Sequence, residues 1–163
     1  MPLFKERIVT YMETGLERIA NKARTDRDCR FSSLAHHLTR ELVLKHLKKM
    51  PKNTATGTDE VSRDEAMSTI DSWFWIAKDQ IHNEGYKAPP VRRVLIPKPG
   101  KLAKRPIGIP QVGDRSLQGA VSEILSCIFE QDFLNRSYGG RPQKSAHQAL
   151  SYLRETISRR KVS

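Results

Sequence analysis

Apolar residues recur every three or four positions along most of this 163-residue chain. That spacing places the apolar side chains on one face of a helix, so it predicts amphipathic helices. Turn-forming residues divide the pattern into separate segments. The predicted helices are residues 3–20, a stretch that begins at Ser32 or Ser33 and stops before Pro51, residues 62–85, residues 114–129, and a last segment capped by Ser145.

The pattern changes to two extended runs, residues 91–96 and 106–110, between the third and fourth helices. The sequence PKPGKLAKR joins them. Prolines at positions 97, 99, 106 and 110 stiffen this segment and restrict its pairing to an edge or a short ladder. The predicted fold class is therefore α+β, predominantly helical, with a projecting β-hairpin.

Three consecutive aromatic residues, Trp73, Phe74 and Trp75, lie in the third predicted helix. Exposed aromatic rings can stack on nucleic-acid bases. Trp73 and Phe74, however, fall on the apolar face of this helix, where aromatic residues usually pack into the core. Core packing is the favoured interpretation.

Positive charge is concentrated in two tracts. The net charge is +11, and residues 85–113 contain seven Lys or Arg and no Asp or Glu. Residues 136–163 add seven bases against Glu155 alone, whereas residues 1–84 are close to neutral. This distribution predicts two contact surfaces for an anionic partner, with nucleic acid favoured over a membrane surface.

Other functional classes find little support in the composition. No apolar run approaches the roughly 18 residues that a membrane span requires, and the first residues lack the apolar core of a signal peptide. We expect a cytoplasmic protein without a membrane partner. Cys29 and Cys127 are far apart and lack the spacing of a zinc site, so no metal site is predicted.

The loop of the predicted hairpin carries four cations, Lys98, Lys101, Lys104 and Arg105. Arginine can hold phosphate oxygens in a bidentate way, and lysine acts as a mobile point charge. A solvated loop that protects a sheet edge from aggregation is an equally open interpretation.

Several blocks resemble a known family in order and spacing. They are NTATGTDEV, PVRRVLIPKPGK, KRPIGIP followed by Asp114, Arg115 and Gln118, IFEQDF, and SYGGRPQKSAHQAL. Together they resemble the N-terminal half of group II intron reverse transcriptases, the maturases, from about residue 53 to residue 150. The resemblance implies the fingers and the start of the palm of a right-hand polymerase over residues 53–163, preceded by a helical extension over residues 1–52.

The resemblance also implies roles for individual residues. Lys98 and Arg105 match fingers residues that contact the triphosphate of the incoming nucleotide, where fixed cations stabilise the charge of the leaving pyrophosphate. Gly139 is expected to permit a backbone geometry or a close approach that a side chain would block. The expected contacts with template and primer are Asn53, Gly57, Arg92, Arg93, Lys101, Lys104, Arg115, Arg141 and Lys144.

Three features depart from the family pattern. Glu60 stands where a glycine is usual, so the opening loop is expected to turn differently, and Gly140 stands where a phenylalanine is usual. The sequence also stops before the family's first catalytic aspartate and contains no YxDD block. Mg²⁺ is expected for the full-length family enzyme, which needs paired carboxylates to hold it. No catalytic residue is therefore assigned in this chain.

Two hypotheses follow. The first is the N-terminal part of a group II intron type RNA-directed DNA polymerase, which binds RNA and a deoxynucleoside triphosphate but does not polymerise alone. A downstream segment would supply the remaining polymerase half. The alternative is a free-standing basic RNA-binding protein derived from a reverse transcriptase. The sequence does not separate an intron maturase from a diversity-generating or CRISPR-linked relative.

Overall fold

The computed structural model describes residues 15–100 and 102–159. It confirms a mostly helical α+β fold with one small antiparallel sheet. The elements are helix α1 at residues 15–25, a 3₁₀ turn at Ala35–His37, α2 at Arg40–Lys49, α3 at Arg63–Ser68, α4 at Ile70–His82, strands β1 at Arg92–Pro97 and β2 at Lys104–Ile109, α5 at Val112–Asp132 and α6 at Ala146–Arg159.

The core lies between α2, α4 and the first half of α5. Phe74 of α4 is fully buried among leucines of α2 and apolar residues of α5. Helices α2 and α5 approach closely at Gly119, where an added Cβ atom would lie 2.6 Å from the His46 Nδ1 atom. Since α2 belongs to the predicted extension over residues 1–52, the extension and the rest of the chain share one core. The boundary at residue 52 stays a prediction.

The first two helices differ from their predicted bounds. Helix α1 continues to residue 25, beyond the predicted end at residue 20, and residues 3–14 of that prediction lie outside the described part of the chain. Neither Ser32 nor Ser33 begins the second helix. Thr39 does so, because its Oγ1 atom accepts a hydrogen bond from the Leu42 N–H at 3.2 Å, whereas Leu38 has a non-helical backbone that separates the 3₁₀ turn from α2.

The third predicted helix is two helices. The predicted start, Ser62, caps α3, with its Oγ atom accepting from the Glu65 N–H at 3.2 Å. The break comes at Thr69, where the hydroxyls of Ser68 and Thr69 both donate to the Glu65 carbonyl at 2.9 Å. Hydroxyls that bond to the backbone in this way compete with the helical ladder. Helix α4 ends at His82, three residues before the predicted glycine.

The aromatic residues of α4 confirm the packing interpretation. Phe74 is fully buried, and the half-buried Trp73 donates its indole N–H to the Ala66 carbonyl at 3.0 Å. Trp75 points away from the core and is half exposed, with the Lys78 ammonium 5.6 Å from its ring centroid. The trio therefore leaves a single exposed ring.

Helix α5 begins at Val112, two residues before the predicted start at Asp114. Asp114 is instead a buried residue of the first turn, and it accepts hydrogen bonds from the Tyr86 hydroxyl and the Gln118 amide, both at 2.6 Å. Burial and the Asp114 carboxylate raise the pKa of Tyr86 far above its ordinary value. The carboxylate thus ties the segment before the hairpin to the start of α5.

The last helix is held only loosely. Ser145 caps α6 as predicted, because Ser145 and Gln148 exchange side-chain to backbone hydrogen bonds at 2.8 and 3.3 Å. No residue of α6 is buried, and Leu150, Leu153 and Ile157 are exposed. None of the helices in residues 15–100 and 102–159 is long and apolar enough to cross a membrane.

Candidate nucleic-acid interface

The hairpin is built from six-residue strands that pair from Arg92 opposite Ile109 to Pro97 opposite Lys104. Both strands differ by one or two residues from the predicted runs. The Lys98 N–H bonds to the Ala103 carbonyl at 3.1 Å, and Gly100 has a φ of +69°, which glycine adopts without strain. Nearly all hairpin residues are exposed, which confirms the prediction that it projects.

Cations line both faces of the hairpin. Side chains alternate between the two faces of a strand, and opposed residues share a face. Arg105 therefore shares one face with Arg92 and with apolar residues of both strands, and Lys104 shares the other with Arg93. A polyanion could be contacted from either side.

The cations near the hairpin tip are free of counter-charges. Lys98, Lys104 and Arg105 are exposed, and none of them pairs with an acidic side chain in the described part of the chain. Lys101 lies outside the described residues. An uncompensated cluster of this kind produces a positive potential that attracts phosphate groups.

The opening loop, residues 53–59, packs at the base of the hairpin. Gly57 is buried so tightly that an added Cβ atom would lie 2.5 Å from the Gln111 Cα atom. The Thr58 hydroxyl donates to the Pro90 carbonyl at 3.1 Å, just before β1. Arg115 of α5 donates from Nη2 to the Ala55 carbonyl at 2.6 Å. Gly57, Arg115 and the hairpin base are thus brought together, with Asn53 exposed at the start of the same loop.

Two arginines of this base hold buried nitrogens without partners. The Nε atoms of Arg92 and Arg115 are buried and make no hydrogen bond. An unsatisfied buried donor costs about 1–3 kcal/mol. Packing around the hairpin base therefore fixes both side chains at some cost in stability.

Glu60 has a left-handed backbone, with a φ of +57°. This conformation is uncommon for any residue except glycine. Glu60, where the resembled family usually has glycine, therefore has a backbone conformation that favours glycine. The departure at Glu60 is accommodated by local strain.

Arg141 lies in a different place and is engaged inside the protein. Its Nε and Nη2 atoms donate to Glu130 Oε2 at 3.0 and 2.8 Å, and Nη1 donates to the carbonyls of Leu134 and Ser137 at 2.9 and 3.2 Å. Only 10% of the side chain is exposed. The guanidinium therefore braces the loop between α5 and α6.

The prediction for Gly139 in this loop is wrong. An added Cβ atom at Gly139 would meet nothing within 4 Å, and its backbone is not left-handed. The left-handed residue is Gly140, with a φ of +68°. The special backbone geometry therefore lies one residue later than predicted.

Two groups of predicted contacts result, one at each end of α5. The helix has 21 residues, which corresponds to about 30 Å at 1.5 Å per residue. Gly57, Arg115 and the hairpin lie at its N-terminal end, and Arg141 and Lys144 follow its C-terminal end. Arg136, Tyr138 and Tyr152, which sequence reasoning did not single out, lie beside this second group.

A metal site is not formed by these residues. Across residues 15–100 and 102–159, no three His, Cys, Asp or Glu side chains converge closely enough to hold a metal ion. The described residues therefore do not fit the carboxylate set that the two Mg²⁺ ions of a polymerase require.

The chain is similar to several curated proteins. It is 33% identical to Protein YkfC of Escherichia coli over 82% of this chain and 36% of that protein. It is 31% identical to the group II intron-encoded protein LtrA of Lactococcus lactis over 85% of this chain and 23% of LtrA. A 91 kDa protein in the cob intron of Schizosaccharomyces pombe is 31% identical over 69% of this chain and 14% of that protein. No family model matches the sequence.

The chain thus spans about a third or less of the curated relatives that it matches. Three of the matched proteins, from a bacterium and two yeasts, are described as products of introns.

Proposed function

The chain is a homologue of group II intron-encoded proteins, and on that premise we propose that it is the RNA- and nucleotide-binding part of a group II intron type reverse transcriptase. It would form the fingers and the start of the palm over residues 53–163, after a helical extension over residues 1–52. Its partners would be intron RNA or a template-primer duplex and a deoxynucleoside triphosphate, in the cytoplasm.

The observation that carries this proposal is the projecting hairpin with unpaired cations. The hairpin, which its prolines stiffen, carries Lys98, Lys104 and Arg105. None of the three pairs with an acidic side chain among the described residues, so phosphate oxygens would meet no competing carboxylate. Arg105 can contact a phosphate through two N–H groups at once. We assign Lys98 and Arg105 to the triphosphate and the other predicted cations, apart from Arg141, to the RNA backbone.

Arg141 is not proposed as a contact with template and primer, although the family resemblance implies that role. Its donors are already satisfied by Glu130 and by two carbonyls. We infer that it holds the loop in shape while Lys144 and its neighbours contact the nucleic acid.

Polymerisation is not proposed for the chain alone. The sequence has no YxDD block, and the described residues hold no three-ligand metal cluster. The remaining carboxylates would come from a further polymerase segment. A primer-extension assay with Mg²⁺ and deoxynucleotides tests this point, and robust incorporation by the purified chain would contradict it.

Fluorescence anisotropy with a labelled template-primer duplex tests the binding roles. The double substitution Lys98→Ala/Arg105→Ala should weaken binding of a fluorescent deoxynucleoside triphosphate to the complex at least tenfold and leave duplex affinity nearly unchanged. A matched control, Lys22→Ala/Lys48→Ala, removes the same charge from exposed positions of α1 and α2 and should change neither.

The same pair of measurements separates the alternative function. If the hairpin substitutions weaken RNA binding directly and no triphosphate binding is detected, the chain acts as a free-standing RNA-binding protein. If neither RNA nor triphosphate binding responds to them, the hairpin is a solvated loop and the proposal fails.

A further inference from the structure

Two tyrosines and two cations meet after the C-terminal end of α5. The rings of Tyr138 and Tyr152 lie 6.4 Å apart between centroids, at an angle of 39°. The Arg136 guanidinium lies 5.5 Å from the Tyr152 ring centroid, and the Lys144 ammonium lies 5.4 Å from the Tyr138 ring centroid. We call these four residues the tyrosine cluster.

The tyrosine cluster is not part of the core. Both rings are half-buried, and α6, which carries Tyr152, has no buried residue. Neither hydroxyl has a hydrogen-bond partner in the part of the chain that the structure describes. Tyr86 shows the contrast, since its hydroxyl bonds to the buried Asp114 carboxylate. Packing in the described chain therefore leaves these two rings at the surface.

The cations of the cluster are also available. Glu130 pairs with Arg141 and Glu155 pairs with Arg159, so neither carboxylate pairs with a cation of the cluster. Arg136 and Lys144 form no ion pair within residues 15–100 and 102–159. The four hydrogen bonds of Arg141 fix the backbone of the loop that carries Tyr138. Arg141 thus holds in place the loop that carries the Tyr138 ring and the Lys144 ammonium.

Aromatic rings interleaved with unpaired cations are the usual surface for single-stranded nucleic acid. Bases stack on tyrosine rings and on guanidinium planes alike, and the cations meet the backbone phosphates. Stacking needs an unpaired base, so a duplex would gain nothing from the rings. Every base has an aromatic face, so such a surface tolerates different sequences.

We propose that the tyrosine cluster binds single-stranded RNA by stacking its bases on Tyr138 and Tyr152. This inference rests on the proposed function for the nature of the strand as RNA. The cluster lies about 30 Å from the hairpin base along α5, so the chain has two separate RNA contacts, one that binds phosphate groups and one that stacks bases. A single strand leaving the duplex near the hairpin would be held at the cluster.

Binding of a fluorescent oligouridine to the full chain tests this inference. Tyr138→Leu and Tyr152→Leu should each weaken binding about tenfold, since stacking of one base is worth roughly five- to one-hundred-fold in affinity. Tyr138→Phe and Tyr152→Phe keep the ring and should bind nearly as the unchanged chain does. Trp75→Leu removes another exposed ring with a cation beside it, and it should have no effect.

An abasic oligomer of the same length is the second probe. All variants should bind it equally, because only its phosphates remain. Thermal unfolding checks that each leucine variant is folded, and Tyr138→Gln or Tyr152→Gln replaces a leucine variant that is not, with a similar expected loss on oligouridine and none on the abasic oligomer.

The outcomes separate this inference from the proposed function. If the leucine variants bind oligouridine as tightly as the unchanged chain while Lys98→Ala/Arg105→Ala impairs triphosphate binding, the stacking inference is overturned and the proposed function stands. If the leucine variants lose oligouridine and the hairpin variant alters neither ligand, the stacking surface stands and the hairpin proposal fails. Equal losses on the abasic oligomer would also overturn the stacking inference.

Discussion

The hairpin cations and Arg141, which belong to the two basic regions of this protein, are used in opposite ways. In the hairpin, Lys98, Lys104 and Arg105 are exposed and unpaired within the described chain. After α5, Arg141 is almost fully enclosed by Glu130 and by two carbonyls. A similar excess of positive charge in the sequence thus gives a projecting contact surface in one region and, in the other, a loop that Arg141 braces while Arg136 and Lys144 stay unpaired among the described residues.

The difference teaches that charge density alone does not identify a binding residue. What separates the two regions is the supply of partners, since the 29 residues from 85 to 113 contain no acid, whereas Arg141 follows a helix that ends with Glu130 and Asp132. A cation with an acid and free carbonyls in reach becomes structural.

Gly57→Ala should lower the free energy of unfolding by about 2 kcal/mol, because the new Cβ atom would lie 2.5 Å from the Gln111 backbone and overpack the hairpin base. Gly139→Ala, in the loop after α5, is the matched control. Its Cβ atom would meet nothing within 4 Å, so the change should stay within about 0.5 kcal/mol. Urea denaturation measures both, and equal effects would break the distinction between the two regions.

Arg141→Ala should release the loop after α5, because it leaves Glu130 and two carbonyls without their donor. The free energy of local opening should fall by about 2 kcal/mol, as measured by amide hydrogen exchange over residues 133–159. Arg105→Ala should leave exchange unchanged throughout the hairpin. Loss of protection in the hairpin variant instead would show that its cations are structural too.

The contact between α2 and α5 should weaken as the pH falls. Burial lowers the pKa of His46 below the ordinary 6.5, although Glu123 at 2.9 Å opposes the shift. The folded protein therefore binds this proton less readily than the unfolded chain. The resulting stability is complete above pH 6.5 and decreases below it. The free energy of unfolding should decrease from pH 7 to pH 5.

His46→Gln should reduce the change in the free energy of unfolding with pH. His37 should account for part of the pH dependence that is left, because burial and its neighbours His36 and Arg18 lower its pKa as well. Urea denaturation at several pH values measures the slope. A slope that His46→Gln leaves unchanged would contradict the assignment to α2 and α5.

Glu60→Gly should stabilise the protein by about 0.5 kcal/mol. Relief of the left-handed strain contributes roughly 1–2 kcal/mol, and the greater freedom of glycine in the unfolded chain removes about 0.5–1 kcal/mol of it. Glu84→Gly is a useful comparison, because Glu84 also has a positive φ, of +56°, but lies away from the opening loop. Destabilisation by both changes would mean that side-chain contacts outweigh the strain.

Lys98→Ala and Arg105→Ala should change the free energy of unfolding by less than about 0.5 kcal/mol each. Both side chains are exposed and have no partner in the described chain to lose. This smallest effect is as informative as the largest, because it separates ligand contacts from structural ones. Thermal unfolding at low salt checks it.

The sequence predicted the helices and the hairpin because their signals are local. Two extended runs on either side of a proline-rich loop indicated both strands. Ser145 was predicted as a cap, and Ser62 was predicted as the start of a helix. The break at Thr69 was missed, since the apolar period continues across it and only hydroxyl contacts with Glu65 interrupt the helix. The early start of α5 was missed because Asp114 resembles a cap but is buried against Tyr86.

The candidate site was predictable where it depends on sequence neighbours and not where it depends on tertiary contacts. The cations of the hairpin loop were predictable because they are close together in the sequence. The structural role of Arg141 depends on Glu130, eleven residues away across a turn, and the tyrosine cluster requires Tyr138 and Tyr152 to meet in space. No period or motif encodes either contact.

The salt dependence of RNA binding shows whether the hairpin cations contact phosphate groups of the nucleic acid. The slope of log affinity against log salt concentration should decrease by about 0.7–0.9 for each phosphate contact that is removed. Lys104→Ala should therefore reduce the slope for a template-primer duplex by nearly one, and Lys48→Ala, which removes an exposed charge from α2, should not change it. Equal slopes for the unchanged chain and both variants would contradict the account.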